Sequence, residues 1–267
     1  MVGACKHIQA MFSVLVCVGI ILMCLSFVST SRQIDDKLEG FQKLGHTLRK
    51  RSYGIDNGDS SATSYPTSIP ILASCDALKK AGFGFSGTYR IDPDGASNGL
   101  EPFSVVCDMT SDLSLGYTTV HHDKEEDGDV NGFEDKGSFR VSVTYDLRRE
   151  QIEAIKAVSS SCRQFIKYEC IGSLFKDRHQ HWISFYGRTM VNWGGVPTGI
   201  RGCACGVTGT CDDPTKLCNC DVNDDAPRLD QGYLTDKATL PVSQLRFGDT
   251  GGAKEKGVYT LGPLQCA

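Results

Sequence analysis

Five cysteines fall within one short stretch of this chain: Cys203-Ala204-Cys205, then Cys211, then Cys218-Asn219-Cys220. Gly202, Gly206, Gly209 and Pro214 interrupt the same stretch, so it reads as a loop region and not as a helix. Thiols this dense either hold a metal as thiolates or pair as disulfides, and the redox compartment separates the two. A structural zinc site usually offers Cys-x2–4-Cys pairs, whereas the tight spacing here is Cys-x-Cys twice. Cysteines that close rarely bridge each other, because a disulfide needs Cα atoms about 4.4–6.8 Å apart in a particular orientation. The stretch therefore reads as a disulfide staple whose members each reach elsewhere, with metal binding as the alternative.

The compartment is read from the other end of the chain. Residues 11–28, MFSVLVCVGIILMCLSFV, are uncharged and follow Lys6. That run is longer than a usual signal-peptide core and lies at the lower edge of a membrane span. The small residues Ser29, Thr30 and Ser31 after it would suit a signal peptidase. Lys6 keeps the N-terminus cytoplasmic in either case. The expectation is a single-pass type II membrane protein with an extracellular C-terminus, or a secreted protein if residues 1–31 are cleaved. A buried soluble helix is the bland alternative. Beyond residue 31 an oxidising compartment favours pairing.

The chain has 267 residues and thirteen cysteines. Cys5, Cys17 and Cys24 lie in or beside the apolar run. The other ten are Cys75, Cys107, Cys162, Cys170, Cys203, Cys205, Cys211, Cys218, Cys220 and Cys266. That number is even, so all are expected in disulfides, although ten cysteines allow about 945 pairings. Cys75–Cys107 and Cys162–Cys170 are the expected local pairs, since each closes a moderate loop beside regular structure. A hydrophobic fraction of 40% is ordinary for a globular chain. A net charge of −4 argues against non-specific nucleic-acid binding, which needs clustered Lys and Arg.

Residues 32–51 read as an amphipathic stalk or propeptide. Ile34, Leu38, Phe41 and Leu48 give two heptads, too few for a coiled coil on their own. Arg49-Lys50-Arg51 is a candidate processing site. Residues 52–73 are a flexible linker, rich in Ser, Thr, Gly, Asp and Pro. The folded part is 74–267. Its expected elements are a helix from Ser74 to Gly82, strands at Thr88–Ile91, Phe103–Met109, Tyr117–Val120 and Ser138–Tyr145, and a turn at Asp92-Pro93-Asp94-Gly95. A helix over Arg149–Phe165, a strand at Trp182–Tyr186 and late short strands near Leu240–Leu245 and Val258–Leu261 complete the pattern.

Ser74-Cys75-x-Ala77-Leu78-Lys79, Phe85-Ser86-Gly87-x-Tyr89-x-Ile91-Asp92-Pro93-Asp94-Gly95 and Pro102-Phe103-x-Val105-x-Cys107-Asp108-Met109-Thr110 resemble the start of a fibrinogen C-terminal-like domain. Glu150-Gln151-Ile152-x-Ala154-Ile155, Cys203-x-Cys205-Gly206, Cys218-Asn219-Cys220-Asp221, Leu240-Pro241-Val242, Gly248-Asp249-Thr250 and Leu261-Gly262-Pro263-Leu264-x-Cys266 are similar to the fibrinogen-like module of contactin-associated (neurexin-like) proteins. The fibrillar-collagen C-propeptide is a more distant likeness. The resemblance covers about residues 74–266. It implies a disulfide-rich α+β fibrinogen-like domain with short strands and few helices. Those proteins carry laminin-G and EGF-like modules and a C-terminal span, while the apolar run here is N-terminal, so their partners are not transferred.

Asp127-x-Asp129-x-Asn131-Gly132 has the alternating oxygen ligands and the glycine that open an EF-hand-type calcium loop. The twelfth position is Ser138 instead of Glu, so an acidic turn is the competing reading. Asp221, Asn223 and Asp225 form a second candidate calcium set beside the cysteine staple, and the resemblance also implies calcium in the C-terminal half. His121-His122-Asp123 and His179-x-His181 lack a zinc-protease pattern and read as surface or half-buried histidines. Trp182 and Trp193, with Phe185 and Tyr186, read either as core or as the lining of a ligand pocket. No assembled nucleophile and base stands out, so the function read from the sequence is non-enzymatic extracellular recognition of a protein or glycan. The alternative is a structural matrix protein that homo-oligomerises through stalk and head. The binding face is expected on the cysteine-rich half.

Overall fold

A computed structural model of the chain describes residues 69–267. The apolar run 11–28, the segment 32–51 with its tribasic end and the linker as far as residue 68 lie outside the described residues. No described helix is long and apolar enough to cross a membrane.

The described part is mostly β. Helix α1 (Cys75–Lys80) leads into β1 (Gly87–Ile91), β2 (Phe103–Asp108), β3 (Tyr117–Val120), β4 (Gly128–Val130) and β5 (Phe139–Ser142). Helix α2 (Arg149–Val158) precedes β6 (Cys162–Ile171), β7 (His181–Ser184) and β8 (Thr189–Met190). Helix α3 (Ala204–Thr208) precedes β9 (Arg228–Leu234), β10 (Val242–Phe247) and β11 (Lys256–Cys266). The large sheet has the order β1-β2-β3-β11-β6-β9, with β4 also pairing to β11. The small sheet has the order β5-β10-β7-β8. The expected α+β balance is thus corrected towards β, and the expected short strands towards two long ones, β6 of ten residues and β11 of eleven.

Local chemistry explains the boundaries. Ser74 caps α1 with its hydroxyl, which accepts the Ala77 N–H at 3.1 Å. Arg148 precedes α2, and the Gln151 side chain accepts the Arg148 N–H at 3.0 Å. The helix expected to reach Phe165 stops at Val158. Three serines follow, and the Ser159 hydroxyl turns back to the Ile155 carbonyl at 2.8 Å. Beyond them CRQFIKYECI alternates strictly: Cys162, Gln164, Ile166, Tyr168 and Cys170 are buried, while their neighbours face outward. A period of two makes a strand, and nothing in it suits a helix. β11 runs through Gly262-Pro263 by a register shift between Leu261 and Leu264, the kind of irregularity that admits proline into a sheet.

The two sheets meet over aromatic rings. Phe247 of β10 stacks on Tyr168 of β6 at 4.9 Å and on Tyr259 of β11 at 5.4 Å. Trp182, Leu245, Ile166 and Leu261 are fully buried around them. Phe175 packs edge-on against both Tyr168 and Trp193.

Five disulfides staple this frame: Cys75–Cys107, Cys162–Cys266, Cys170–Cys220, Cys203–Cys218 and Cys205–Cys211. Cys75–Cys107 forms as expected from the sequence. Cys162–Cys170 does not. Both lie on β6, and eight residues of extended strand separate them by about 26 Å. Cys162 instead faces Cys266 in the β6–β11 register, and Cys170 ties β6 to the loop before β9.

Candidate functional site

The cysteine loop, residues 200–226, has little regular structure and is held by bonds at specific atoms. A side chain at Gly206 would meet the Leu217 carbonyl at 2.4 Å, so only glycine allows the two arms of the loop to close. Asp230 is the pin. Its carboxylate, on an almost fully buried side chain, accepts the Asn219 N–H at 3.0 Å and the Cys220 N–H at 2.9 Å. Its backbone carbonyl accepts the Trp193 indole N–H at 3.0 Å. Burial pushes the Asp230 carboxyl up to about 6, against the opposing pull of the two amides. Trp193 itself opens a loop that touches β9 so closely that a Cβ on Gly194 would strike the Gly232 backbone at 2.4 Å.

The candidate calcium residues fall in two groups, one at the turn after Cys220 and one on and beside β4. Asp221 accepts the Phe175 and Lys176 N–H groups at 2.9 and 2.8 Å, and burial raises its carboxyl. Asn223 occupies a left-handed turn with φ 56°, and Asp225 pairs with Lys254. Asp224 instead forks onto Arg228, at 2.9 and 2.6 Å. Asp129 lies on β4, opposite Val258 of β11. Asp127 and Asn131 flank the three-residue β4, and the two-residue period of a strand favours one face for all three. Asp127 reaches Thr260 and Lys167 on that face. Elsewhere, Glu134, Asp249 and Glu255 bring carboxylate oxygens within 4.8 Å of one another.

The outward face of the large sheet is the best candidate for a site. β9 carries an inverted pattern: Asp230 points inward, while Leu229, Gln231 and Tyr233 are exposed. Val106 on β2 is exposed as well. At one end of this face lies a cleft of about 910 Å³. Its walls include Asp129 and Asn131, Glu169 of β6, Leu229 of β9, and Lys256 and Val258 of β11. Arg228 also reaches it, but its charge is already met by Asp224 and Asp212. Among the described residues Asp129 and Lys256 have no ion-pair partner within 4.0 Å. The cleft therefore offers a free carboxylate, a free ammonium and a partly apolar floor. The sequence reading missed this face because it missed β9. The signal was present as apolar Leu229 and Tyr233 flanking a single Asp.

The other sequence candidates have structural roles. Trp182 and Trp193 are 0% and 1% exposed and belong to the core. His122 is buried; its Nε2 donates to the Gly262 carbonyl at 2.9 Å and its Nδ1 accepts the Lys124 N–H at 3.0 Å. That pairing assigns a neutral ring, and burial lowers its basicity accordingly. His121 pairs with Glu125 at 2.9 Å. His181 is buried against the Arg178 carbonyl at 3.1 Å, and His179 has a buried Nδ1 without a partner.

The structure thus defines a disulfide-stapled, mostly β domain with one long-stranded sheet face left open. The chain is 38% identical to Neurexin-4 of Drosophila melanogaster, over 85% of this chain and 18% of that protein. It is 35% identical to contactin-associated protein 1 of Rattus norvegicus and 34% identical to that of Homo sapiens, each over 72% of this chain and 14% of the relative. The chain therefore spans less than a fifth of the length of these relatives. No family model matches the chain.

Proposed function

We propose that residues 74–267 are a fibrinogen-like recognition module that binds an extracellular protein partner without catalysis, in the manner of a cell-adhesion domain. One observation carries this reading: the outward face of the large sheet is open, and its cleft presents Asp129 and Lys256 without internal partners. Five disulfides agree with an oxidising compartment, and the similarity to Neurexin-4 and contactin-associated protein 1 agrees with surface recognition. Type II anchoring or secretion stays part of the proposal. So does calcium, tested by comparing melting with calcium and with chelator; equal melting removes it.

The test is a panel of cell-surface proteins and glycans probed with the full chain. Asp129→Lys combined with Lys256→Glu is expected to weaken binding about tenfold or more without lowering the melting temperature. Unchanged binding by that variant would move the site off this face. A glycan as the sole ligand would replace the protein partner. An obligate trimer by hydrodynamic mass would favour the structural alternative.

A further inference from the structure

At the other end of the open face, the guanidinium of Arg163 lies over two tyrosine rings. Its Cζ is 4.1 Å from the Tyr117 centroid and 4.8 Å from that of Tyr233. Gln265, directly opposite Arg163 in the β6–β11 register, accepts the Arg163 Nε–H at 3.0 Å. Phe165 meets Tyr233 edge-on at 5.5 Å. Three side chains from three neighbouring strands thus fix one long, otherwise flexible side chain in place. Yet among the described residues no carboxylate comes within 4.0 Å of it, and neither Nη has a hydrogen-bond acceptor.

We propose that Arg163 is a preorganised carboxylate-recognition site, which takes an Asp or Glu side chain of a protein partner between its two free Nη groups. This rests on the reading of the open sheet face as the recognition surface. An arginine fork matches a carboxylate in plane through two parallel N–H···O bonds. Because the tyrosines and Gln265 already hold the fork, little side-chain entropy is lost when the ligand arrives. The chemistry favours a protein side chain over a sugar. A sugar ring would need an open aromatic face, and one face of Tyr117 and one of Tyr233 are already covered by the guanidinium. The surroundings supply what a protein anchor needs: Tyr233 is 41% exposed, and the half-buried Phe165 packs beside it on the same side of the sheet. Tyrosine and arginine side by side, with apolar neighbours that exclude water, form the usual anchor of a protein interface.

The test titrates the full chain with acetyl-Gly-Glu-Gly-amide and follows the ring resonances of Tyr117 and Tyr233 by NMR. Saturable, millimolar shifts are expected, about tenfold weaker with acetyl-Gly-Gln-Gly-amide and with Arg163→Lys. Gln265→Glu leaves Arg163 in place but gives it an internal carboxylate, and it is expected to weaken the peptide by a similar factor. Equal shifts with the two peptides, or undiminished binding by both variants, would overturn the site. Tighter binding of N-acetylneuraminate than of the glutamate peptide would overturn the protein side-chain assignment. The two readings fail separately. Peptide binding without any cell-surface protein ligand would end the recognition reading and leave the carboxylate site. Full-strength partner binding by Arg163→Lys would end the site and leave the reading.

Discussion

The β6–β11 core and the 200–226 loop are held together by different means. In the core, Phe247, Tyr168 and Tyr259 stack, and Trp182, Ile166 and Leu261 bury apolar surface around them. In the loop, Val207 and Leu217 are exposed and α3 has five residues with none buried. What orders it is Cys203–Cys218, Cys205–Cys211, Cys170–Cys220 and the Asp230 carboxylate. Burial acts through the folded state and is shared by many contacts. A disulfide acts largely by restricting the unfolded chain. The loop can therefore stay rigid and polar beside the open face without a core of its own.

Substitutions on either side sharpen that contrast. The largest effect is expected in the core. Phe247→Ala should cost about 3–5 kcal/mol in urea unfolding, with fluorescence and circular dichroism changing together. A loss below about 1 kcal/mol would show that the disulfides, not the aromatic stack, carry the core.

Asp230 is expected to come next, with a pH signature. Its folded carboxyl titrates at about 6, above the ordinary 3.8, so the folded state holds that proton more tightly than the unfolded chain does. Its contribution to stability is therefore greatest below about 4 and is lost as pH rises through 6, by roughly 3 kcal/mol in total. Asp230→Asn should remove that slope, so the stability difference between parent and variant should change between pH 4 and pH 7. Parallel pH profiles for the two would separate the pin from its titration.

The smallest effect is expected at the loop's own short bridge. Cys205→Ser with Cys211→Ser opens a six-residue separation, worth about 2 kcal/mol in the chain-entropy estimate. Amide exchange should quicken at residues 203–213 while β6 and β11 keep their protection. Equal loss of protection in the long strands would mean that the two regions unfold as one.

Much of this was legible along the chain. Strand residues Tyr117–Val120, the Ser74-capped helix and the Cys75–Cys107 bridge follow from signals within a few residues or one loop. The Asp92–Gly95 turn does too, with the Gly95 N–H on the Asp92 carbonyl and φ 85° at Gly95. β6 was misread because the α2 pattern runs straight into it, and only its burial alternation separates the two. The alternating oxygens of Asp127, Asp129 and Asn131 suit both a calcium loop and a strand edge, and the structure adds that Asp129 lies on β4.

From the chain alone it follows that the folded part is cysteine-rich with an even count and that the protein is not basic, because cysteine number and charge are properties of composition. The sequence also determined the local helices and turns, because capping and turn chemistry act over a few residues. Which cysteine meets which depends on the fold, because Cys162 and Cys266 become neighbours only once β6 and β11 pair. The fold likewise makes Trp182 and Trp193 core and turns Leu229, Tyr233 and Arg163 outward. Burial depends on which face of a strand the rest of the chain covers, and residues about a hundred positions apart settle that choice here.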